Sequence, residues 1–217
     1  MIKKRAINPD QKEQRRQQIL EAAKRLFHQS PDYHDVLMKD IAASLGLTKS
    51  TLYLYFKTKE EVFLALYVDE FRAIFLKLDQ YLANQASQGS TTLFIEQVIQ
   101  CMQQHESFLK LNSILHTVLE KNIDLTTALA FKQLLQKQLL FSGALLEHYF
   151  KHFKEGQGTE LLLIIHQLQI GCFHACSASS VSKLLQSQPE MQFMVLDFYT
   201  EFSKSIRLLL KGMEENN

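Results

Sequence analysis

Residues Thr48 to Thr51, with the sequence TKST, bring three hydroxyl groups and one ammonium group together within four positions. A hydroxyl both donates and accepts hydrogen bonds, whereas a lysine ammonium only donates and carries a positive charge. Such a set suits phosphate oxygens and the edges of nucleic-acid bases. The elements on either side decide whether the four side chains are presented together.

The preceding residues have the pattern of a short helix that ends at a glycine. Ile41, Ala42 and Leu45 recur at helical spacing, so one face of this helix is apolar. Gly46 follows where a helix ends by turning its backbone left-handed, which glycine does without steric cost. Thr48 is then placed to cap a second helix by accepting a backbone N–H of its first turn.

The second helix is anchored from its other side and is followed by a third. Leu52 and Phe56 are four residues apart and predict an inward-facing pair. Thr58 and Glu61 form a capping box that starts the next helix. This order of elements predicts a helix-turn-helix, in which the opening residues of the second helix enter the major groove of DNA.

A second interpretation is open at this point, because pairs of amphipathic helices joined by a glycine occur in many all-α proteins. Tyr53 and Tyr55 would then be ordinary core or surface aromatic residues. The turn glycine, the threonine N-cap, the LYLYF run and the capping box fall in register, which favours DNA binding. Lys49 can either read a base or contact only phosphate, and the sequence leaves both roles open.

Residues 17–66 resemble the head of the TetR family of bacterial transcriptional repressors, whose run L-Y-x-Y-F-x-[ST/N]-K appears here as LYLYFKTK. The resemblance implies base contacts from the opening of the second helix, helped by Lys39, and phosphate contacts from the two tyrosines and Lys59. The implied DNA-binding set is Lys39, Thr48, Lys49, Ser50, Thr51, Tyr53, Tyr55 and Lys59. The chain departs from the family at Leu37, where a threonine N-cap is usual, and at SPDYHD, which replaces a glycine-containing link.

Charge is divided unevenly along the chain. Residues 1–60 carry 12 Lys and Arg against 7 Asp and Glu, a net charge of +5, and residues 61–217 carry 12 against 16, a net charge of −4. A basic head on a mildly acidic body favours nucleic-acid binding by the head alone, because neutralising phosphates releases counterions.

The whole chain predicts an all-α fold. Its 217 residues are 46% hydrophobic with only 7 Gly and 3 Pro, and no strand-like alternation is present. We expect a helix-turn-helix domain over residues 1–57 and a helical ligand-binding and dimerisation domain over residues 58–217. About nine helices are predicted, near residues 11–29, 37–45, 49–55, 59–84, 91–104, 107–120, 125–154, 159–178 and 189–212.

The body is rich in phenylalanine, and a helical bundle lined in this way can leave a mostly apolar cavity. The resemblance implies a small-molecule pocket there. For any single phenylalanine, ordinary core packing is the simpler explanation. The candidate ligand-binding residues are Phe71, Phe75, Phe108, His116 and Phe131.

The last two predicted helices carry apolar stripes that can simply cover their own core. In TetR-like proteins, however, the corresponding pair packs against a second copy in a four-helix interface. The resemblance therefore implies a homodimer that presents two recognition helices to a palindromic site. The candidate interface residues are Leu161, Ile165, Leu168 and Leu196.

Other classes of function find little support. There is no G-x-S-x-G elbow, P-loop or H-E-x-x-H motif, so we expect neither an enzyme nor a cofactor. Cys172, His174 and Cys176 suggest a metal or redox site, but at about 100° per residue His174 points away from both cysteines, and we predict no metal. No apolar run approaches the roughly 20 residues of a membrane span, and we expect a cytoplasmic protein with reduced thiols.

These patterns predict a ligand-responsive repressor that binds double-stranded operator DNA as a dimer and is released by a small, mostly apolar effector. The alternative is an all-helical ligand-binding or protein-interaction module without sequence-specific DNA binding. Retention on heparin or on random duplex DNA distinguishes the two, since a repressor head binds with strong salt dependence.

Overall fold

The computed structural model describes residues 9–30, 32–85, 89–177 and 188–215, with the side chains of residues 193 and 194 left aside. Within these ranges the chain forms α-helices and no strand, which confirms the predicted all-α fold. The nine α-helices among the described residues are α1 (Pro9–Gln29), α2 (Met38–Ser44), α3 (Lys49–Tyr53), α4 (Lys59–Asn84), α5 (Thr91–Gln104), α6 (Glu106–Ile114), α7 (Leu125–Tyr149), α8 (Gln157–Cys176) and α9 (Phe198–Glu215).

Two of the predicted helices are divided. The segment predicted at 107–120 continues beyond α6 as a π-helical turn, Leu115–Leu119. The segment predicted at 189–212 begins as a 3₁₀ helix, Pro189–Met194, and α9 starts only at Phe198. The later start has a local cause, because the Asp197 carboxylate accepts the Thr200 backbone N–H at 2.8 Å and so caps α9. The predicted end of α8 near residue 178 lies outside the described residues.

The helices group into two compact units. The head unit contains the chain up to Glu70 together with Ile114–Ala128, and the body unit contains Phe71–Ser113 together with the residues from Leu129 onwards. Helices α4 and α7 each run from one unit into the other. The sequence placed a domain boundary at the start of α4, but the first three turns of this helix belong to the head unit.

The beginning of α4 belongs to the head because its apolar side chains fill the core of the head. Phe63 is fully buried, and its ring meets the ring of Phe27 at 5.3 Å and that of Tyr33 at 4.9 Å in edge-to-face contacts. Two turns further along α4, the Glu70 carboxylate is buried and forms an ion pair with Lys24 of α1. Apolar burial therefore stabilises the head, and the buried Glu70 carboxylate has a charged partner, without which its charge would be strongly destabilising.

The body unit depends on a close crossing of α7 and α8. Gly143 and Gly158 face each other there with no room for a side chain on either. Next to this crossing, the Glu147 carboxylate of α7 accepts the backbone N–H groups of Gly156 at 2.9 Å and Gly158 at 3.1 Å. Since Gly156 has no side chain to cap α8, Glu147 supplies the cap from the neighbouring helix. Helix α9 packs against α8 and α5.

None of the described helices is both long enough and apolar enough to cross a membrane.

Candidate nucleic-acid interface

The turn between α2 and α3 is closed by backbone hydrogen bonds around Gly46. Gly46 has φ +61°, and its N–H donates to Ala43 O at 3.0 Å, while the N–H of Leu47 donates to Ala42 O at 2.9 Å. These two bonds are the pattern of a Schellman motif, which ends a helix with one residue in the left-handed region. The glycine turn predicted from the sequence is confirmed, and it sets the direction in which α3 begins.

Helix α3 starts with a small network of hydroxyl groups. Thr48 Oγ1 accepts the backbone N–H of Thr51 at 3.2 Å, which confirms the predicted N-cap. The same oxygen lies 2.9 Å from Ser50 Oγ and 2.8 Å from Thr51 Oγ1. Thr48, Lys49 and Ser50 are exposed and Thr51 is half-buried. The start of α3 therefore offers solvent a cluster of hydroxyls that can both donate and accept.

The opposite face of α3 is fixed in the core of the head. Leu52 is fully buried and Phe56, in the turn that follows, is 4% exposed. The guanidinium of Arg16 lies 5.2 Å from the centroid of the Phe56 ring. Because these contacts hold one side of α3, its opening residues have to point outwards.

Cationic and aromatic groups surround the hydroxyl cluster. Lys49 Nζ lies 5.6 Å from the centroid of the Tyr53 ring, one turn further along α3. Tyr53 is 42% exposed, Tyr55 is half-buried, and Lys39 is exposed on α2. These side chains can contact phosphates, since ammonium and phenol groups both donate hydrogen bonds to phosphate oxygens.

Lys59 is already engaged within the protein. Its ammonium donates to Tyr33 O at 2.6 Å and lies 3.8 Å from the centroid of the Tyr33 ring. Burial lowers the pKa of Lys59, although the nearby carboxylates of Glu60, Asp32 and Asp35 oppose this change. Burial, reinforced by Glu60, raises the pKa of the Tyr33 phenol, which hydrogen-bonds to Glu60 at 3.1 Å. The phosphate contact of Lys59 stays a prediction. It would use the ammonium hydrogens of Lys59 that are not donated to the Tyr33 carbonyl oxygen.

The turn before α4 carries a contact that the sequence did not suggest. Lys57 Nζ donates to the Asp124 carboxylate at 3.0 Å, and Thr58 Oγ1 donates to Asn122 O at 3.1 Å while accepting the Glu61 N–H at 3.1 Å. The hydrogen bond to Asp124 raises the pKa of Lys57. The pKa of Asp124 falls to about 2, because its carboxylate also accepts the backbone N–H of Thr127.

The predicted capping box is present in a modified form. The Glu61 carboxylate accepts the backbone N–H of Lys57 at 2.6 Å, one residue before the N-cap Thr58. The caps of α4 and α7 are thus joined, since Asp124 caps α7 and pairs with Lys57. No local pattern pointed to this contact, because its partners are separated by 67 positions.

Two family profiles match the chain, one for each part. The profile of bacterial regulatory proteins of the tetR family matches residues 19–66, which contain α2, α3 and the glycine turn. The profile of the tetracyclin repressor-like C-terminal domain matches residues 68–217, more than half of the chain. The chain belongs to the TetR family. The predicted resemblance to this family is confirmed, with the head matched over residues 19–66, and the protein is a transcriptional regulator with a helix-turn-helix head.

Solved structures of TetR-type regulators share the fold of this protein. The fatty acid degradation regulator FadR from Bacillus halodurans is 20% identical, with a TM-score of 0.56 over 97% of this chain and 98% of that one. A possible TetR family regulator from Streptomyces coelicolor A3(2) is 15% identical, with a TM-score of 0.62 over 93% and 100% of the two chains. FadR from Bacillus subtilis, solved in complex with stearoyl-CoA, is 18% identical, with a TM-score of 0.51 over 90% and 98%. A comparison with curated protein sequences gives no significant match.

The candidate ligand residues of this TetR-family chain are divided between the two units. Phe71, Phe75, Phe108 and Phe131 are all buried in the body unit, and the first two rings are 4.4 Å apart. His116 lies instead on the π-helical turn of the head unit, where it is exposed and 3.3 Å from the Glu120 carboxylate. His116 therefore belongs to a different unit from the four phenylalanines, and a role of these five residues in ligand binding stays a prediction.

An open cavity of about 570 Å³ does occur in the body unit, between α4 and α7. None of the five candidate ligand residues lines it. Its walls are formed by two cationic, two amide and two apolar side chains, namely Arg72, Lys137, Gln133, Gln138, Leu134 and Phe141. The apolar pattern of the body did not point to this cavity, because its wall is largely basic and polar.

The candidate dimer residues have very different environments. Leu161 is fully buried and Ile165 is 7% exposed, so both belong to the core of their own body unit. Leu168 is half-buried, and Leu196 is exposed in the segment just before α9. Leu163, also on α8, is 45% exposed.

The cysteines do not form a metal cluster. Within the described residues no group of three or more His, Cys, Asp or Glu side chains is arranged to hold a metal ion. Cys172 and Cys176 are half-buried, and burial together with the nearby Cys172 raises the pKa of the Cys176 thiol. His174 is directed elsewhere, with Nε2 3.1 Å from Ser113 O.

Proposed function

We propose that this TetR-family regulator is a repressor that binds a palindromic operator as a homodimer and is released by a small molecule bound in its body unit. The observation that carries the proposal is the start of α3, where exposed hydroxyls and an ammonium stand opposite the buried Leu52. A recognition helix needs this arrangement, because its opening residues must reach base edges while its other face holds the angle of approach.

Selection from random duplex DNA tests this function. We expect enrichment of a sequence with two half-sites related by two-fold symmetry, centred about 34 to 36 Å apart when DNA is straight. Affinity for the selected site should fall steeply with salt, since phosphate contacts release counterions. An all-helical module without a DNA function gives no enrichment and no salt-dependent retention on duplex DNA, and that result would overturn the proposal.

The homodimer is proposed through the exposed side of α8. Leu163→Glu places a carboxylate where an apolar contact with a second copy is expected, and we expect sedimentation to give a folded monomer in place of the dimer. Leu129→Glu, on the exposed side of α7, is the matched control and should leave the dimer intact. A dimer unaffected by Leu163→Glu places the interface elsewhere, and a monomeric wild-type protein contradicts the homodimer itself.

Coupling between effector and operator is proposed to use the helices that the two units share. Helix α4 begins at the Thr58 cap and α7 begins at the Asp124 cap, and the ion pair between Lys57 and Asp124 links these two helix starts. A ligand that shifts either helix in the body then changes the position of α3 in the head. The effect on DNA affinity cannot exceed the difference in ligand affinity between the two arrangements, and such couplings are typically about 1 to 3 kcal/mol.

A further inference from the structure

The walls of the cavity in the body unit come from two helices. Arg72 of α4 forms one side, and α7 supplies the rest through residues one turn apart. Gln133, Lys137 and Phe141 follow each other at a spacing of four, with Leu134 and Gln138 beside them. Because such residues lie on one face of a helix, a single face of α7 lines the cavity.

The two cations of this cavity have no carboxylate partner in the described part of the chain. Neither Arg72 nor Lys137 forms an ion pair with any residue in those ranges. The Asp79 carboxylate is hydrogen-bonded to Gln138 of this wall, and both of its oxygens are occupied. Oδ1 accepts the Ser142 hydroxyl at 2.6 Å, and Oδ2 accepts Gln138 Nε2 at 2.8 Å.

Gln138 is held in a fixed orientation by these contacts. Its Nε2 donates to Asp79 and also lies 3.0 Å from Ser142 Oγ, so both amide hydrogens are used. The amide carbonyl oxygen is left to accept a hydrogen bond. Burial raises the pKa of Asp79, while the hydrogen bonds from Ser142 and Gln138 oppose this change. The polar wall therefore presents two positive charges and one fixed acceptor.

Apart from the Gln133 amide, the remaining lining is apolar and partly open to solvent. Phe141 is 58% exposed and Leu134 is half-buried, so a hydrocarbon laid over them would remove apolar surface from water. A small anion alone would leave this apolar surface uncovered, and a neutral hydrocarbon alone would form no ion pair with Arg72 and Lys137, which are exposed to water. A molecule with an anionic group and a hydrocarbon part would engage both sides of the cavity.

We propose that the cavity between Arg72 of α4 and the Gln133–Phe141 face of α7 binds an anionic amphiphile, whose negative group pairs with Arg72 and Lys137 while its hydrocarbon covers Phe141 and Leu134. The proposal rests on the proposed function in one respect, since it names the chemical class of the effector. The negative group can be a carboxylate or a phosphate, and the two sources are a free fatty acid and an acyl thioester of coenzyme A.

Calorimetric titration of the full chain with dodecanoate, lauroyl-CoA and dodecanol tests the site. We expect the wild-type protein to bind at least one of the two anions at least tenfold more tightly than the neutral alcohol. Binding of dodecanoate identifies the carboxylate source, and binding of lauroyl-CoA alone identifies the phosphate source. If neither anion binds, or if dodecanol binds as tightly, the proposal is overturned.

Substitutions of the lining residues test whether the ligands bind in this cavity. Arg72→Gln with Lys137→Gln should lose at least tenfold in affinity for the anion and leave the affinity for dodecanol unchanged. The matched control, Lys151→Gln with Lys154→Gln, removes the same two charges from exposed positions elsewhere in the body unit and should bind like wild type. Phe141→Ala should weaken all three ligands. Equal losses in the two double variants would show that only net charge matters and would overturn the site.

Operator titration separates this inference from the proposed function. If the anion binds through Arg72 and Lys137 but leaves operator affinity unchanged, the site stands and effector release fails. If operator binding responds to a ligand whose affinity is insensitive to Arg72 and Lys137, the repressor function stands and this site is wrong.

Discussion

Gly158→Ala should strongly destabilise the body unit, although alanine is the smallest possible replacement. A Cβ at this position would overlap the carbonyl oxygen of Gly143 and lie only 2.8 Å from its carbonyl carbon. These atoms belong to the backbone of α7 and cannot rotate aside, so the two helices would have to separate. Their separation would open the packing of fully buried residues such as Leu146 and Leu161. We expect a loss of about 3 kcal/mol or more, at the upper end for overpacked cores.

Urea unfolding followed by circular dichroism measures this loss. Gly212→Ala in α9 is the matched control, because a Cβ there meets nothing within 4 Å and alanine is the better helix former. The control should unfold like wild type or be more stable by up to about 1 kcal/mol. A Gly158→Ala protein as stable as this control would mean that α7 and α8 do not cross with backbones in contact.

Ser50→Glu should abolish operator binding without unfolding the head. Ser50 is exposed at the second position of α3, where a carboxylate favours the helix dipole, so the substitution supports the helix itself. Facing DNA, the same carboxylate would meet phosphates, and like-charge contacts of this kind cost several kcal/mol. We expect operator affinity to fall by about two to three orders of magnitude.

Fluorescence anisotropy with labelled operator at fixed salt gives the affinity, and circular dichroism reports the fold. Thr92→Glu is the matched control, since Thr92 is exposed at the second position of α5 in the body unit. The control adds the same charge at an equivalent helix position and should bind operator like wild type. Equal affinities for the two variants would place the DNA-reading surface away from the start of α3.

The helix-turn-helix was predictable because its signals act over a few residues. Gly46 ends α2 through its own backbone conformation, and Thr48 starts α3 through a hydrogen bond to a residue three positions away. The Thr58 cap and the inward pair Leu52 and Phe56 are equally local. Interactions of this range depend on chain geometry that the sequence contains in full.

Contacts between distant segments were not predictable in the same way. The hydrogen bond of the Lys59 ammonium to Tyr33, 26 positions away, has no local signature, and the phosphate contact that the family pattern implies for Lys59 stays a prediction. The pair of Lys57 with Asp124 spans 67 positions and has no local signature. Which charges meet depends on how the helices pack, and helical periodicity does not specify the partner of a helix face.

The same limit explains the body. The order of residues in the sequence was enough to predict that this part of the chain is helical, because apolar residues recur at helical spacing and glycine and proline are few. It did not determine which side of α8 is internal, since Leu161 and Leu163 are both leucines of this helix and only Leu161 is fully buried. Nor did it reveal the basic cavity, because Arg72 and Lys137 are 65 positions apart. Sequence by itself determined the helices and the recognition element, whereas tertiary packing alone decided which faces are buried and which distant charges share a site.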